Sequence, residues 1–189
     1  EISTRDWSSD VCSSDLQTPT NPDGAIKDNS VLRMLEHSIL DGVLYNFRDA
    51  KTGEGRVDEM SELVDNFFSA VREHFPEDWI RKPRHSRLVH GVGIVSMGFL
   101  MDEIALGVPS GDVPNKQHFY DEIAMIASEM KWSSGSWRLP NIDRRRKATT
   151  DRVTFKWVPW NDLQNTSRDL GLLSSHILDL YRSAKASKK

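Results

Sequence analysis

The sequence predicts a mainly helical fold, a single domain of about five helices with an irregular tryptophan-rich arm or short strand before the last helix. Three observations predict it. Apolar residues recur at spacings of three and four through most of the chain, residues 88–106 are apolar nearly all round, and residues 132–160 hold four tryptophans without a helical period. We assign the domain to residues 28–185 and a short tail to 186–189.

The first sixteen residues do not follow this pattern. Residues 6–16, DWSSDVCSSDL, are poor in apolar side chains and show no helical or strand period. The same letters result from translating a common sequencing-library adapter, so we expect residues 1–16 to be an artefact and the native sequence to begin near Gln17. The chain is then expected to be the C-terminal part of a longer protein. The single cysteine, Cys12, falls in the artefact, which leaves no disulfide framework, thiolate zinc site or cysteine nucleophile.

The elements follow in order. Residues 17–27, rich in Pro, Gly and Asn, are typical of a linker. A first helix begins at residues 28–30, where Asp, Asn or Ser can cap it. A second helix is stopped by Pro76. The predicted apolar faces of these two helices are Leu32, Leu35, Ile39, Val43 and Phe47, then Met60, Leu63, Val64, Phe67, Phe68, Val71 and Phe75.

The second half contains the predicted centre of the fold. Residues 88–106 indicate a buried central helix, because the stretch is apolar nearly all round, and we expect Val92, Val95, Phe99 and Leu100 to be buried. Residues 151–160, DRVTFKWVPW, alternate loosely and predict a short strand or extended arm. A fourth and a last helix are marked by Phe119, Ile123, Ile126 and Met130, then Leu163, Leu170, Leu173, Ile177, Leu180 and Tyr181.

Charge is unevenly distributed along the chain. Without residues 1–16 there are 24 basic and 24 acidic residues, but residues 28–78 hold 5 basic and 12 acidic ones, and residues 79–189 carry the compensating +7. A basic half with several tryptophans is typical of a surface that meets nucleic acid, although charge alone favours ordinary solvated helix faces. No apolar stretch is long enough for a bilayer, so we expect no membrane partner and a cytoplasmic location.

Two basic sets point to phosphate contact. The first is Arg81, Lys82, Arg84 and Arg87, and the second is Arg144, Arg145, Arg146 and Lys147, joined by Arg152 and Lys156. Such groups hold phosphates by charge, without reading sequence. Trp137 and Trp157 are our candidates for stacking on an exposed base. The alternative for the four tryptophans is core packing, which we expect for at least two of them.

The glycine-rich stretch HGVGIVSMG has a structural interpretation. Gly91, Gly93 and Gly98 match neither the dinucleotide loop, which needs G-x-G-x-x-G after a strand, nor the P-loop, which needs a following G-K-[ST]. Glycines along a buried helix instead predict close approach of neighbouring helices.

An enzyme is the rival interpretation. It requires His85, His90 and Asp102 to share one pocket, and the sequence cannot show this. We expect no metal site, because metal-ligand spacings such as H-E-x-x-H are absent. A third interpretation is a purely structural helical scaffold.

Three stretches resemble a known family. RHSRLVHGVGIVSMGFLMDEI is similar to the H-G-V helix near the C-terminal end of DGQHR-domain proteins, the group that includes DndB and DpdB. KWSSGSW and WVPWNDLQNTSRDLGLLSSHILDLY resemble the closing segment of the DpdB branch. The resemblance covers residues 28–181. The matching residues are His90, Gly91, Val92, Trp132, Gly135, Trp137, Trp160, Asn161, Leu163, Gln164, Asn165 and Thr166.

This resemblance implies a bacterial DNA-modification or phage-defence protein. DndB-like members bind DNA as regulators of phosphorothioate modification, and DpdB-like members accompany deazaguanine insertion and are associated with nucleotide hydrolysis. The naming motif Asp-Gly-Gln-His-Arg is absent here, so no catalytic residue carries over. We expect a C-terminal domain that contacts DNA, other DNA-modification proteins or its own missing N-terminal core, with no cofactor of its own. Any ATP would bind elsewhere in the longer protein.

Overall fold

The structure, a computed structural model, describes residues 16–17, 26–49, 51–141 and 154–188. Its described helices are α1 (Asp28–Asp41), α2 (Val57–His74), α3 (Pro76–Trp79), α4 (Gly91–Ala105), α5 (Lys116–Ala124) and α6 (Ser167–Ser187). Strands β1 (Leu16–Gln17) and β2 (Ile26–Lys27) pair in parallel, and β3 (Ser136–Pro140) and β4 (Phe155–Pro159) pair antiparallel. The predicted mainly helical fold is confirmed, including the short strand before the last helix.

Helix α4 forms the centre of the fold, as predicted. Every residue in it is buried except Phe99 and Glu103. The helix begins at Gly91 because the His90 side chain caps it, accepting a hydrogen bond from the Val92 N–H. Phe99 departs from the prediction, because it is only partly buried. Its ring lies 4.0 Å from that of His37 on α1.

Helices α1 and α4 run in the same direction and touch through small residues. At their N-terminal ends Ser30 lies against Gly91, and further along Ser38 donates a hydrogen bond to Asp102. The buried row of α1 is therefore Ser30, Met34 and Ser38. Hydrophobic spacing alone could not find this row, because two of its members are polar.

The predicted apolar face of α1 is partly wrong. Leu32 is 55% exposed, and the helix ends at Asp41 before a 3-10 turn over Val43–Phe47. Gly42 separates the two segments with an extended backbone, and the Val43 N–H donates to the Asp102 carboxylate instead of continuing the helix.

Helix α6 runs parallel to α4 on another side. Asn165, just before α6, lies against Gly91, and Ser174 donates to Ser96 at 3.1 Å. At the far end Arg182 binds Glu103 through two hydrogen bonds of 2.8 and 2.7 Å. The N-terminal ends of α1, α4 and α6 consequently meet at one end of the domain.

Helix α2 follows its predicted apolar face and packs chiefly against α5. The rings of Phe67 and Phe119 meet edge to face at 5.3 Å. The His74 ring stacks on Tyr120 at 4.0 Å, and its Nε2 lies 2.8 Å from the Tyr120 carbonyl oxygen.

The two N-terminal strands include the last residue of the predicted artefact and both ends of the predicted linker. The backbone of Leu16–Gln17 pairs with Ile26–Lys27, and Ile26 is buried in the core. The remaining residues assigned to the artefact and the linker lie outside the described residues.

Candidate nucleic-acid interface

Arg87 is the most constrained basic residue of the predicted phosphate-binding set. It is only 8% exposed. Its Nε donates to the carbonyl oxygen of Leu163 at 2.7 Å, and its two terminal nitrogens donate to those of Pro83 at 2.9 Å and Asn161 at 2.6 Å. The guanidinium also lies 5.7 Å from the centre of the Trp160 ring. Arg87 therefore fixes the segment between β4 and α6, and is not a solvent-facing phosphate ligand as the sequence predicted.

The Arg87 charge is buried without an ion pair to any residue that the structure describes. Burial lowers the pKa of Arg87, and the negative charge of Asp162 opposes that change. Its hydrogen bonds to three carbonyl oxygens satisfy donors but bring no full negative charge.

The other members of the first basic set are solvent-exposed. Arg81 forms an ion pair with Glu77 at 3.6 Å, and the Arg84 Nε donates to His85 Nε2 at 2.9 Å. Lys82 is exposed between them. The second set, Arg144, Arg145, Arg146 and Lys147, lies outside the described residues, so the connected basic face stays a prediction.

A cleft of about 350 Å³ opens beside this connector, at the shared N-terminal end of α1, α4 and α6. We call it the N-terminal cleft. Its lining includes Ser30, Arg84, Arg87, His90, Gly91 and Asn165.

Gly91 is what allows the walls of the N-terminal cleft to meet. A Cβ atom at this position would lie 2.6 Å from Asn165 Nδ2 and 2.8 Å from Ser30 Oγ. Real Cβ atoms do not approach other atoms this closely, so with any larger residue the Asn165 and Ser30 side chains would have to shift. The predicted role of the glycines in close helix packing is confirmed here.

The ribbon formed by β3 and β4 presents an aromatic face to solvent. Trp157 is 70% exposed and pairs in register with Arg138, whose guanidinium lies 4.5 Å from the centre of the Phe155 ring. We call Arg138, Phe155 and Trp157 the ribbon face. Leu139 of β3 is buried and anchors the ribbon to the core.

The four tryptophans divide as predicted, with at least two in the core. Trp132 and Trp137 are each 1% exposed, and their rings meet edge to face at 5.2 Å. Trp137 also lies against His176, so in this structure it offers no face on which a base could stack. Of the two predicted stacking residues, only Trp157 is accessible.

The structure does not bring His85, His90 and Asp102, the residues of the enzyme interpretation, into one site. His90 and Asp102 are separated by twelve residues of α4, which is about 18 Å along the helix axis. Asp102 is buried and accepts hydrogen bonds from the Ser38 hydroxyl and the Val43 N–H. Burial raises the pKa of Asp102, although those hydrogen bonds and His37 oppose the rise. Asp102 joins α1 to α4, far from His85 and His90.

Most residues that carry the family resemblance gather around Arg87 and the start of α4. Asn161 and Leu163 accept hydrogen bonds from Arg87, and the Gln164 side chain donates to the Asn161 carbonyl at 3.4 Å. Thr166 caps α6 by accepting from the Asp169 N–H at 3.2 Å. The Trp132 carbonyl oxygen also accepts a hydrogen bond from the Arg87 N–H at 2.7 Å, whereas Trp137 lies in the core.

Compared with protein-family models, curated proteins and solved structures, the chain matches none. Across the described ranges, no helix combines the length and apolar character that a membrane crossing needs. Within the same ranges, no three His, Cys, Asp or Glu side chains are grouped as metal ligands would be.

Proposed function

We propose that this domain contacts DNA, and that its ribbon face stacks on an unpaired or flipped-out base. One observation carries the proposal: the indole ring of Trp157 is 70% exposed on an ordered strand, directly across from Arg138. Aromatic side chains on a sheet surface, with arginine beside them, are a recurring platform for single-stranded nucleic acid.

The ribbon face is supported from behind by the core. Trp137 and Leu139 alternate with Arg138 along β3 and are buried, which fixes the direction in which the ribbon face points. A platform held in this way loses little freedom when a ligand binds, so more of the stacking energy appears as affinity.

Phosphate contact is proposed for the exposed connector. Arg81, Lys82 and Arg84 supply three positive charges, and the second basic set adds four in sequence. Replacing one phosphate-binding residue by a neutral one should reduce the salt dependence of binding by about one unit of slope, for all DNA sequences alike.

The setting that we propose is the C-terminal domain of a DGQHR-type protein in bacterial DNA modification or defence. The support is the resemblance, together with the convergence of its residues on Arg87 and the start of α4. Nucleotide hydrolysis and ATP binding, where the full protein has them, are proposed for another part of it. Docking onto that part or onto a partner protein is the alternative use of the ribbon face.

A titration of single-stranded and duplex DNA of one sequence tests the proposal. Trp157→Ala should weaken single-strand binding by about 1–3 kcal/mol and change duplex binding much less. Tyr45→Ala is the matched control, because Tyr45 is 54% exposed and has Arg48 beside its ring at 5.7 Å, outside the ribbon. Equal losses for the two variants, or no binding to either form of DNA, would reject the base-stacking role.

A further inference from the structure

We infer that the N-terminal cleft is a binding site for a phosphoryl group. The site depends on the cleft alone, whether or not the ribbon face stacks on a base. Three parallel helices of 14, 15 and 21 residues, α1, α4 and α6, begin at this cleft. The positive end of each helix dipole lies at this end of the domain, which favours an anion there.

The helix ends differ in how far they are already neutralised. The first turn of α4 contains no acidic residue, whereas α1 begins with Asp28 and Asp169 lies in the first turn of α6. His90 and Thr166 cap α4 and α6 by accepting one N–H hydrogen bond each. The strongest attraction for an anion is therefore expected at the start of α4, against Gly91.

A second observation points to a ligand independently of the helix ends. Ser30 lines the cleft and is only 3% exposed, yet no hydrogen bond reaches its hydroxyl from any residue that the structure describes. A phosphate oxygen in the cleft would accept a hydrogen bond from this hydroxyl.

The side chains of the cleft have the matching charge. Arg84 stands at its rim and the buried Arg87 in its wall, while no Asp or Glu is among the described residues that line it. The Asn165 amide nitrogen, beside Gly91, adds a further donor. A volume of about 350 Å³ accommodates one or two phosphoryl groups. The phosphoryl group belongs either to a nucleic-acid end or to free phosphate or pyrophosphate.

Calorimetric titration of the full chain with inorganic phosphate and pyrophosphate, in a chloride buffer, tests the site. We expect saturable binding that Arg84→Gln weakens about tenfold, the usual effect of removing one charged hydrogen bond. Ser30→Ala should also weaken it. Arg81→Gln is the matched control, since Arg81 is an exposed arginine of the same connector that does not line the cleft. It should leave the affinity within about twofold.

Binding measurements with two oligonucleotides identify the source of the phosphoryl group. If an oligonucleotide with a 5′-phosphate binds more tightly than its 5′-hydroxyl form, and Arg84→Gln abolishes this difference, the site binds nucleic-acid ends. Equal binding of both forms, together with saturable inorganic phosphate binding, assigns it to a free phosphate.

The proposed site is overturned if neither inorganic ligand gives saturable heat and the two oligonucleotides bind alike. It is also overturned if Arg81→Gln weakens binding as much as Arg84→Gln. Circular dichroism of each variant checks that it is folded. Trp157→Ala should leave inorganic phosphate binding unchanged, which separates failure of this site from failure of the ribbon face.

Discussion

Gly98 of α4 lies against the Met34 side chain of α1 so closely that a Cβ atom on Gly98 would be 2.2 Å from Met34 Cγ. Met34 is 2% exposed, so its side chain has little space into which to move. This close approach, with those at Gly91 and Asp102, sets the separation of the two parallel helices.

Gly98→Ala is therefore expected to lower the free energy of unfolding by about 1–3 kcal/mol, as overpacking of a core does. Gly171→Ala is the matched control, because Gly171 is also inside a helix but has no atom within 4 Å of an added Cβ. Its expected effect is a gain of about 0.5–1 kcal/mol from helix propensity. Urea denaturation of both variants measures the difference, and a neutral Gly98→Ala would contradict the packing described.

Asp102 predicts a pH dependence of stability. Burial raises the pKa of Asp102 in the folded state above its ordinary value of 3.8. At a pH between the ordinary pKa and the raised pKa, the folded protein therefore holds more protons than the unfolded one. The free energy of unfolding contributed by Asp102 consequently falls as pH rises through that window. Asp102→Asn should lack this contribution while keeping an acceptor for Ser38 and Val43.

Urea denaturation from about pH 4 to about pH 7 tests the sign. The wild type should lose stability relative to Asp102→Asn as the pH rises. Asp102→Ala serves as a second variant and should cost about 1–3 kcal/mol, because two buried donors lose their acceptor. A difference between wild type and Asp102→Asn that does not change with pH would show that the carboxylate is not buried as described.

Arg87 should behave as a structural residue. Arg87→Met leaves three carbonyl oxygens without their donor and is expected to lower the free energy of unfolding by about 2–5 kcal/mol. Arg87→Lys should not restore it, since one ammonium group cannot reproduce the planar fork that reaches three acceptors. Arg84→Met, at an exposed position, should change stability by less than about 0.5 kcal/mol. Thermal or urea unfolding of the three variants distinguishes these outcomes.

Tyr181 should ionise later than an ordinary tyrosine. Burial and the hydrogen bond to Glu122 raise the pKa of Tyr181 to about 12. The Glu122 carboxylate also accepts from Lys185 at 2.8 Å. Glu122→Gln should bring the pKa of Tyr181 down towards its ordinary value of 10.0, though not fully, because burial remains. Ultraviolet titration with Tyr181→Phe as the reference isolates this group, and an unchanged pKa in Glu122→Gln would exclude the contact.

The sequence predicts the elements of this fold better than their contacts. Periodicity identifies α2, α4 and α6, because long apolar faces leave a clear signal. It does not identify the buried row of α1, since two of its members, Ser30 and Ser38, are polar. The parallel direction of α1, α4 and α6 depends on long-range contacts that no local pattern encodes.

For the candidate sites, sequence patterns likewise do not separate exposed residues from buried ones. An exposed Trp157 and a buried Trp137 look alike in sequence, and only the register of β3 and β4 separates them. Arg87 belongs to a basic run, so charge alone predicts a surface residue. Its burial follows from three backbone carbonyls, two of them more than seventy residues away, and backbone acceptors leave no trace in residue identity.

The central claim is that Trp157 stacks on a DNA base, and a double-mutant cycle tests it most directly. The affinity of single-stranded DNA is measured for wild type and Trp157→Ala, each with an intact strand and with strands carrying one abasic position in turn. If the ring stacks on a base, Trp157→Ala costs about 1–3 kcal/mol on the intact strand and almost nothing once the stacked base is removed. Equal losses on intact and abasic strands at every position would show that Trp157 does not stack on a base.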